Sequence, residues 1–298
     1  MTQPFARVLL DSVSPAGSRV TTMEVVIHRF VLAEFNTHRV FSRNSASSRA
    51  IPFHKMLDRV LNDPAMPMSW PSEQRGMQGG CELSGIDILN AKTAWLTARN
   101  NAVESAHMLH DIGAHKSVVN RLLEPFLWHT VIVTGTTDGY ENFFKQRCSQ
   151  LAQPELRMAA DLMRAAWLGS TPEPLDYYEW HTPLIQPEDD ELIHTEGACR
   201  AYNWDYDQIE AAAAEVRRRV STARCARVSY LTHDGRRDIS KDLELYDRLV
   251  LAKPPHWSPL EHVCRPQADA GHPHPDAKLG ANLSGWIQMR HIVETEKG

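Results

Sequence analysis

Apolar positions open the chain in short β-branched blocks and then give way to helical spacing. Ala6 to Leu10 and Val20 to Ile27 are rich in Val, Ile, Leu and Thr, with Pro15-Ala16-Gly17 between them, which predicts two strands joined by a turn. His28 to Glu34 favours a helix, and Lys55 to Val60 a short second one. From Ile86 to about Gly113 the apolar residues recur at helical spacing, and Leu89, Ala94, Leu96, Val103, Ala106 and Leu109 form the expected buried face. Lys116 to Glu124 predicts a helix stopped by Pro125, followed by helices over Thr136 to Cys148 and Pro154 to Leu168. Asp207 to Cys225 and Asp238 to Leu251 are helical, a short strand follows His262, and Asn282 to about Val293 predicts a last helix.

Two stretches break the periodicity. Asn62 to Gly85 carries repeated Pro, Met and Gly and reads as a long ordered loop or lid. Gly169 to Asp190 is proline-rich and acidic. It reads as a connector between segments 1–168 and 191–298 of a single domain covering 1–298. A third stretch, Asn36 to Arg49, is polar rather than irregular: one histidine, three arginines, four serines and two asparagines in fourteen positions. It reads as a loop leaving the first strand–helix unit. Its guanidiniums offer planar, permanently charged forks suited to anionic oxygens, although taken alone such a run is as readily a solvated loop.

Composition narrows the classes. With 298 residues, 42% hydrophobic and 23% charged, the chain is ordinary for a globular protein with a sizeable core. A formal charge of −5 argues against a broad basic surface for nucleic acid or membrane, so an anionic ligand must be caught by a local cluster. Five scattered cysteines without a C-x-x-C pair fit reduced thiols in a cytoplasm, and neither a signal peptide nor a membrane-spanning run is expected. His256 and His262 make no zinc pattern with Cys264. His272-Pro273-His274-Pro275 reads as a flexible loop, so no metal is expected. Arg217-Arg218-Arg219 reads as a solvated helix face. Thr37-His38-Arg39 and Met289-Arg290-His291 hint at a degenerate repeat of a strand–helix plan.

Three segments together resemble the flavin-dependent thymidylate synthases. His38-Arg39-x-x-Ser42-x-Asn44-x-x-Ser47-x-Arg49 is similar to that family's R-H-R plus serine signature. Arg224-Cys225-Ala226-Arg227-Val228-Ser229, followed by His256-x-Ser258-Pro259-Leu260-Glu261-His262, resembles its A-R-V-S and H-x-T-P-F-E-H segments. Asn142-Phe143-Phe144-Lys145-Gln146-Arg147 with Ala152-Gln153-Pro154-Glu155 resembles its N-F-x-x-x-R…A-Q-W-E helix. The order differs from the usual one, in which the A-R-V-S and E-H segments come first, so the chain looks like a rearranged, phage-type member.

The resemblance implies an α+β fold with a mixed or antiparallel sheet flanked by long helices, and a homotetramer in the cytoplasm (the host's, if phage-encoded). It implies reductive one-carbon transfer from 5,10-methylenetetrahydrofolate to C5 of dUMP, with FAD as cofactor and NADPH as reductant. On its terms His38, Arg39, Asn142, Ser229, His256, Ser258 and Glu261 contact FAD. Ser47, Ser48 and Arg49 hold a pyrimidine deoxynucleotide monophosphate, and Arg147 reaches its base. Arg147 and Ser47 are then the candidate catalytic residues, Arg147 by stabilising charge on the pyrimidine oxygen and Ser47 by positioning the substrate. Three positions depart from the pattern. Thr37 stands where the first arginine of R-H-R is expected, Glu34 where a glutamine is, and an arginine near Thr130-Val131 is lacking. The phosphate clamp must then be rebuilt, with Gln288, Arg290 and Arg43 as candidates, or the substrate differs from dUMP. C5 methylation or hydroxymethylation of dCMP or dUMP, or flavin and nucleotide binding without catalysis, are the alternatives.

Overall fold

The structure, a computed structural model, describes residues 3–201, 205–232, 238–267 and 282–297. The His272–His274 loop lies outside the described residues. β1 (Phe5–Val13) and β2 (Arg19–His28) pair antiparallel around the expected turn, where Gly17 adopts a φ of +80° that favours a residue without Cβ. A 3-10 turn at Arg29–Val31 leads into α1 (Leu32–Phe35). The polar stretch expected as a loop contains a strand, β3 (Ser42–Ser45). Then come α2 (Phe53–Asn62), α3 (Gly85–Asp111) and α4 (Lys116–Val119). The helix expected to stop at Pro125 instead tightens into a 3-10 segment, Asn120–Phe126, that contains the proline.

β4 (Trp128–Thr136), which the sequence pattern does not announce, lies between β3 and β2 in a sheet of order β3-β4-β2-β1-β5. Its partners are antiparallel, and only β5 (Glu173–Pro174) runs parallel, to β1. The sheet is therefore mixed and the fold α+β, as expected. α5 (Thr137–Arg147) and α6 (Pro154–Leu168) precede β5, and Pro154 sits in the first turn of α6, where its missing N–H goes unused. After it come α7 (Asp190–Arg200), α8 (Tyr206–Arg227) and α9 (Ile239–Leu251). Gly197 lets α7 and α8 touch, since a Cβ there would meet the Ala213 backbone nitrogen at 2.6 Å. β6 (Cys264–Pro266) and β7 (Trp286–Gln288) form a second, two-stranded antiparallel sheet, and α10 (Met289–Lys297) closes the described chain. The single helix expected from Asn282 is thus a strand followed by a helix.

The two faces of the main sheet differ. Met23, Val25 and Ile27 of β2 and Val131 and Val133 of β4 pack against Phe35, Phe143, Leu156 and Met163 from α1, α5 and α6. On the opposite face Ser12, Thr22, Thr134, Ser42 and Asn44 present hydroxyls and an amide, and residues from beyond 180 cover them. The expected buried face of α3 is mostly half-buried or exposed. Of its predicted members only Ala106 is buried, while Val103 and Leu109 pack partly against a core of α2 and residues 119–127. The arginine triplet of α8 is not simply solvated either. Arg217 pairs with Asp190, Arg218 lies over the Trp180 ring at 4.8 Å, and Arg219 pairs with Glu215.

Candidate functional site

β3 places Asn44 on the polar face, opposite Ile132 of β4, and buries it. Its Nδ2 donates to the Cys225 carbonyl at 2.6 Å, and its Oδ1 accepts from the hydroxyls of Ser258 (3.2 Å) and Ser229 (3.5 Å). The Ser47 amide donates to the Ser229 carbonyl at 3.0 Å. One asparagine side chain thus ties together the polar stretch, the end of α8 and the Ser258 turn. A buried ionic cluster fixes that end of α8: Arg224 pairs with Asp189 (2.5 Å) and Asp242 (3.0 Å), and Arg227 with Asp242 (2.6 Å). Such a cluster specifies geometry more than it stabilises, since desolvating the charges offsets most of their attraction.

The three segments enclose a cleft of about 770 Å³ that gathers five of the expected residues: Ser47, Arg49, Ser229, His256 and Ser258. Arg49 is exposed, and its guanidinium has no hydrogen-bond or ion-pair partner among the described residues. Lys116 also lines the cleft, its Nζ donating to the Ala50 carbonyl at 2.8 Å. Leu249, Ala226 and Pro259 supply apolar wall, and the half-exposed Tyr230 an aromatic one. Cationic donors and hydroxyls beside apolar surface suit a ligand that is anionic at one end and ring-like at the other.

His38, Arg39, Asn142 and Arg147 lie away from this cleft. Arg147, at the end of α5, donates from Nε to His38 Nε2 at 2.8 Å and from Nη2 to Thr37 Oγ1 at 3.0 Å. Thr37 in turn donates to the Glu34 carbonyl at 2.7 Å. Burial, with Arg147 and Arg43 nearby, lowers the His38 pKa to about 4, so the ring is neutral and its Nε2 accepts the guanidinium proton. Arg39 and Asn142 are exposed, Asn142 Oδ1 accepting from Gln146 within the same helix.

Glu261, Gln288 and Arg290 form a third group. Gln288 is buried and donates to Ser42 Oγ (2.9 Å) and the Glu261 carbonyl (2.8 Å), while the Glu261 carboxylate pairs with Arg290. These contacts brace β7 and α10 against β3, and none of the three residues lines the cleft. Ser48 is buried; its hydroxyl donates to Glu124, and its carbonyl accepts from Asn120 at 2.7 Å. Two cleft features escape the sequence reading. Asn44 stands inside the quoted signature without an assigned part. His115-Lys116-Ser117 is signalled only by basic and polar residues just beyond the end of α3.

The amino-acid sequence from 11 to 173, more than half of the chain, matches the family model described as thymidylate synthase complementing protein. The chain belongs to that family. The match takes in β2, β3, β4, α5 and α6 but stops short of the Arg224–Ser229 and His256–His262 segments that complete the cleft of this family member. Among solved structures the chain is similar to a UMP/dUMP methylase, PolB, from Streptomyces cacaoi bound with 5-Br dUMP. The identity is 19% and the TM-score 0.40, over 50% of this chain and 66% of that one. The same enzyme bound with 5-Br UMP gives 15% identity and a TM-score of 0.45, over 56% and 89%. Thymidylate Synthase X from Helicobacter pylori, with FAD and dUMP, gives 15% identity and a TM-score of 0.35, over 50% and 67%. A search of curated protein sequences finds no match. Among the described residues no helix is long and apolar enough to cross a membrane.

Proposed function

We propose that the protein is a pyrimidine nucleotide C5 methyltransferase of the thymidylate synthase type. Its reaction would transfer a one-carbon unit reductively from 5,10-methylenetetrahydrofolate to C5 of dUMP, with FAD and NADPH. Family membership supports the reaction class. The observation that carries the reading is the convergence on Asn44, which brings Ser47, Ser229 and Ser258 to one cleft beside Arg49, whose guanidinium is unpartnered among the described residues.

The residues present fit a flavin dinucleotide and a nucleotide. Arg49 and Lys116 offer cationic donors for phosphates, Ser229 and Ser258 are held in place by Asn44, and Leu249, Pro259 and Tyr230 offer surface to a ring. FAD, when bound, would supply the hydride equivalents of the reaction. The neutral His38 and the Arg147 that donates to it form a second polar group with Arg39, for which we propose flavin contact. Arg147 Nη1 has no hydrogen-bond partner among the described residues and would stabilise negative charge developing on the pyrimidine oxygen. Because this group lies off the cleft within one protomer, the reading includes a homotetramer in which another copy completes the site. Light scattering that returns a monomer would remove that part.

A second reading, C5 modification of dCMP, is favoured by one observation. Thr37 stands in place of a cation, and its hydroxyl is already engaged by Arg147 and the Glu34 carbonyl. The deciding experiment is the absorbance spectrum of the purified protein, titrated with dUMP and dCMP and followed by tritium release from each C5-labelled nucleotide. Flavin bands, and release from dUMP, are expected. Release from dCMP alone would replace the first reading with the second. A colourless protein that gains no flavin absorbance with added FAD would sink both.

A further inference from the structure

A cavity of about 800 Å³ lies between the edge of the main sheet and the α7–α8 pair, and it shares no lining residue with the cleft. Ser12 of β1 and Glu173 of β5 stand on the sheet side, Ile193 of α7 and Ala213 of α8 on the helix side. Apart from Leu10, Ser12 and Glu173, every lining residue follows position 173, where the family match ends. The walls are thus built mainly by chain that the match leaves out. We infer that this cavity is a second ligand site, and that it takes an aliphatic polyamine. The inference does not rest on the proposed function of the cleft.

Charge selects a cation. Glu173, Glu179, Asp190 and Glu210 stand in the walls against one arginine, Arg217. Arg217 pairs with Asp190 at 2.6 Å, and Glu210 meets the His194 ring at 3.3 Å. Glu179 accepts the Asp176 amide on one oxygen at 2.7 Å, and the Glu173 carboxylate has no hydrogen-bond or ion-pair partner among the described residues. The lining is therefore net anionic. Spacing then decides the kind of cation. Among the described residues no three histidine, cysteine or carboxylate side chains come close enough together to hold a metal ion, so the charge is spread rather than focused. Leu10, Ile185 and Ile193 give the same walls apolar surface. A run of methylenes bearing several ammonium groups matches both, with its stem on the apolar surface and its charges on separate carboxylates. Aromatic rings favour the same ligand: Trp180 already carries the Arg218 guanidinium over its ring at 4.8 Å, and Tyr178, 88% exposed, offers another ring. An unmet hydroxyl points to a ligand independently of charge. Thr182 lines the cavity and is only 7% exposed, yet its hydroxyl has no hydrogen-bond partner among the described residues. Ser12, also buried in the lining, bonds to His181 Nδ1, and whichever of the two donates, a hydroxyl lone pair remains. A buried hydroxyl left unpaired costs free energy, and an amine N–H entering the cavity supplies the missing donor.

The test is binding of spermidine to the full chain, read by calorimetry and by shift in Tm, with Mg²⁺ and a tetralysine peptide compared at the same ionic strength. Saturable binding of spermidine with a rise in Tm is expected, and neither from Mg²⁺. Glu173 and Glu210 are exposed, so Glu173→Gln combined with Glu210→Gln leaves the fold intact and weakens spermidine binding about tenfold, each lost charge pair contributing a factor of a few. Thr182→Val weakens it several-fold while the Tm of the ligand-free protein stays level or rises, a combination that a purely structural threonine does not give. No saturable binding of spermidine, an affinity unchanged in the double glutamate variant, or equal binding of Mg²⁺ overturns the inference. Tighter binding of tetralysine than of spermidine overturns the polyamine in favour of a basic peptide.

Discussion

The two faces of the central sheet are built on opposite principles. The face toward α5 and α6 is close-packed and apolar, with Phe35 and Phe41 edge to face with Phe143 and Tyr140 tilted against Phe41. The other is crossed by a continuous hydrogen-bonded line. Ser12 Oγ meets His181 Nδ1 at 2.8 Å, His181 Nε2 meets Thr22 at 2.8 Å, Thr22 meets Thr134 at 2.6 Å, and Thr134 meets His262 Nδ1 at 2.8 Å. Area burial drives the first face and tolerates small shifts. Paired polar groups fix the second, because a buried donor without its partner costs more than the pair returns. The cleft sits on the second face, where position matters most. Cohesion and precision are assigned to different sides of one sheet.

The largest test of this comparison is Phe143→Ala on the apolar face. It should lower the unfolding free energy in urea by about 3–5 kcal/mol, the usual toll of a large core cavity. A smaller effect than that of any polar-face change would reverse the assignment. Next is acid. Burial lowers the pKa of His181 and of His262 to about 3, so both rings are neutral in the folded protein, whereas the unfolded chain takes up protons at about 6.5. Below 6.5 the unfolded state therefore binds more protons, and stability should fall as pH drops from 6.5 toward 3 and stay flat with respect to these groups above it. A Tm that is constant from pH 7 to 4 would contradict this.

Thr134→Val keeps the shape but removes the hydroxyl between Thr22 and His262, whose Nε2 is already buried without a hydrogen-bond partner among the described residues. Its expected cost is about 1–3 kcal/mol, and a neutral or stabilising result would show the polar line to be dispensable. Asn44→Ala should cost about 1 kcal/mol or somewhat more in stability, yet weaken ligand binding in the cleft disproportionately, because three segments lose their common tie. Arg49→Gln, at an exposed side chain unpartnered among the described residues, should change stability by less than about 0.5 kcal/mol while reducing affinity for anionic ligands. A destabilised Arg49→Gln would mean that the side chain holds the fold rather than a ligand.

Legibility in the sequence follows the same division. β1, β2, α5 and α6 announce themselves because one side of each meets an apolar layer and the spacing records it. β4 does not, although it is central. Thr130 to Val133 is buried on both faces, so no alternation marks it, although Pro125 breaks the helical pattern before it. β3 fails for the opposite reason: Ser42-Arg43-Asn44-Ser45 is wholly polar, since what it meets on the inner face is hydroxyl and amide. β7 is hidden because Trp286, Ile287 and Met289 run on into α10 with no breaker between them. As for the site, the residues the motifs pointed to could be named one by one. Their grouping could not, because it depends on Asn44 reaching Cys225 and Ser258 across the fold, and spacing along a chain carries no such information.

The polar face also imposes an order in time. Asn44 waits for Ser258, 214 residues on; Ser42 waits for Gln288, 246 residues on; and Ser18 waits for Trp286, 268 residues on. The apolar face needs only neighbours within the first 170 residues, so it can collapse while the rest of the chain is still being made. Closing such long loops is entropically slow, and contacts of this separation form late in folding. The nascent protein therefore passes through a stage with a finished core and an open, hydroxyl-studded sheet. The polar face is complete only once these distant segments, Ser258 of the cleft among them, have docked on it.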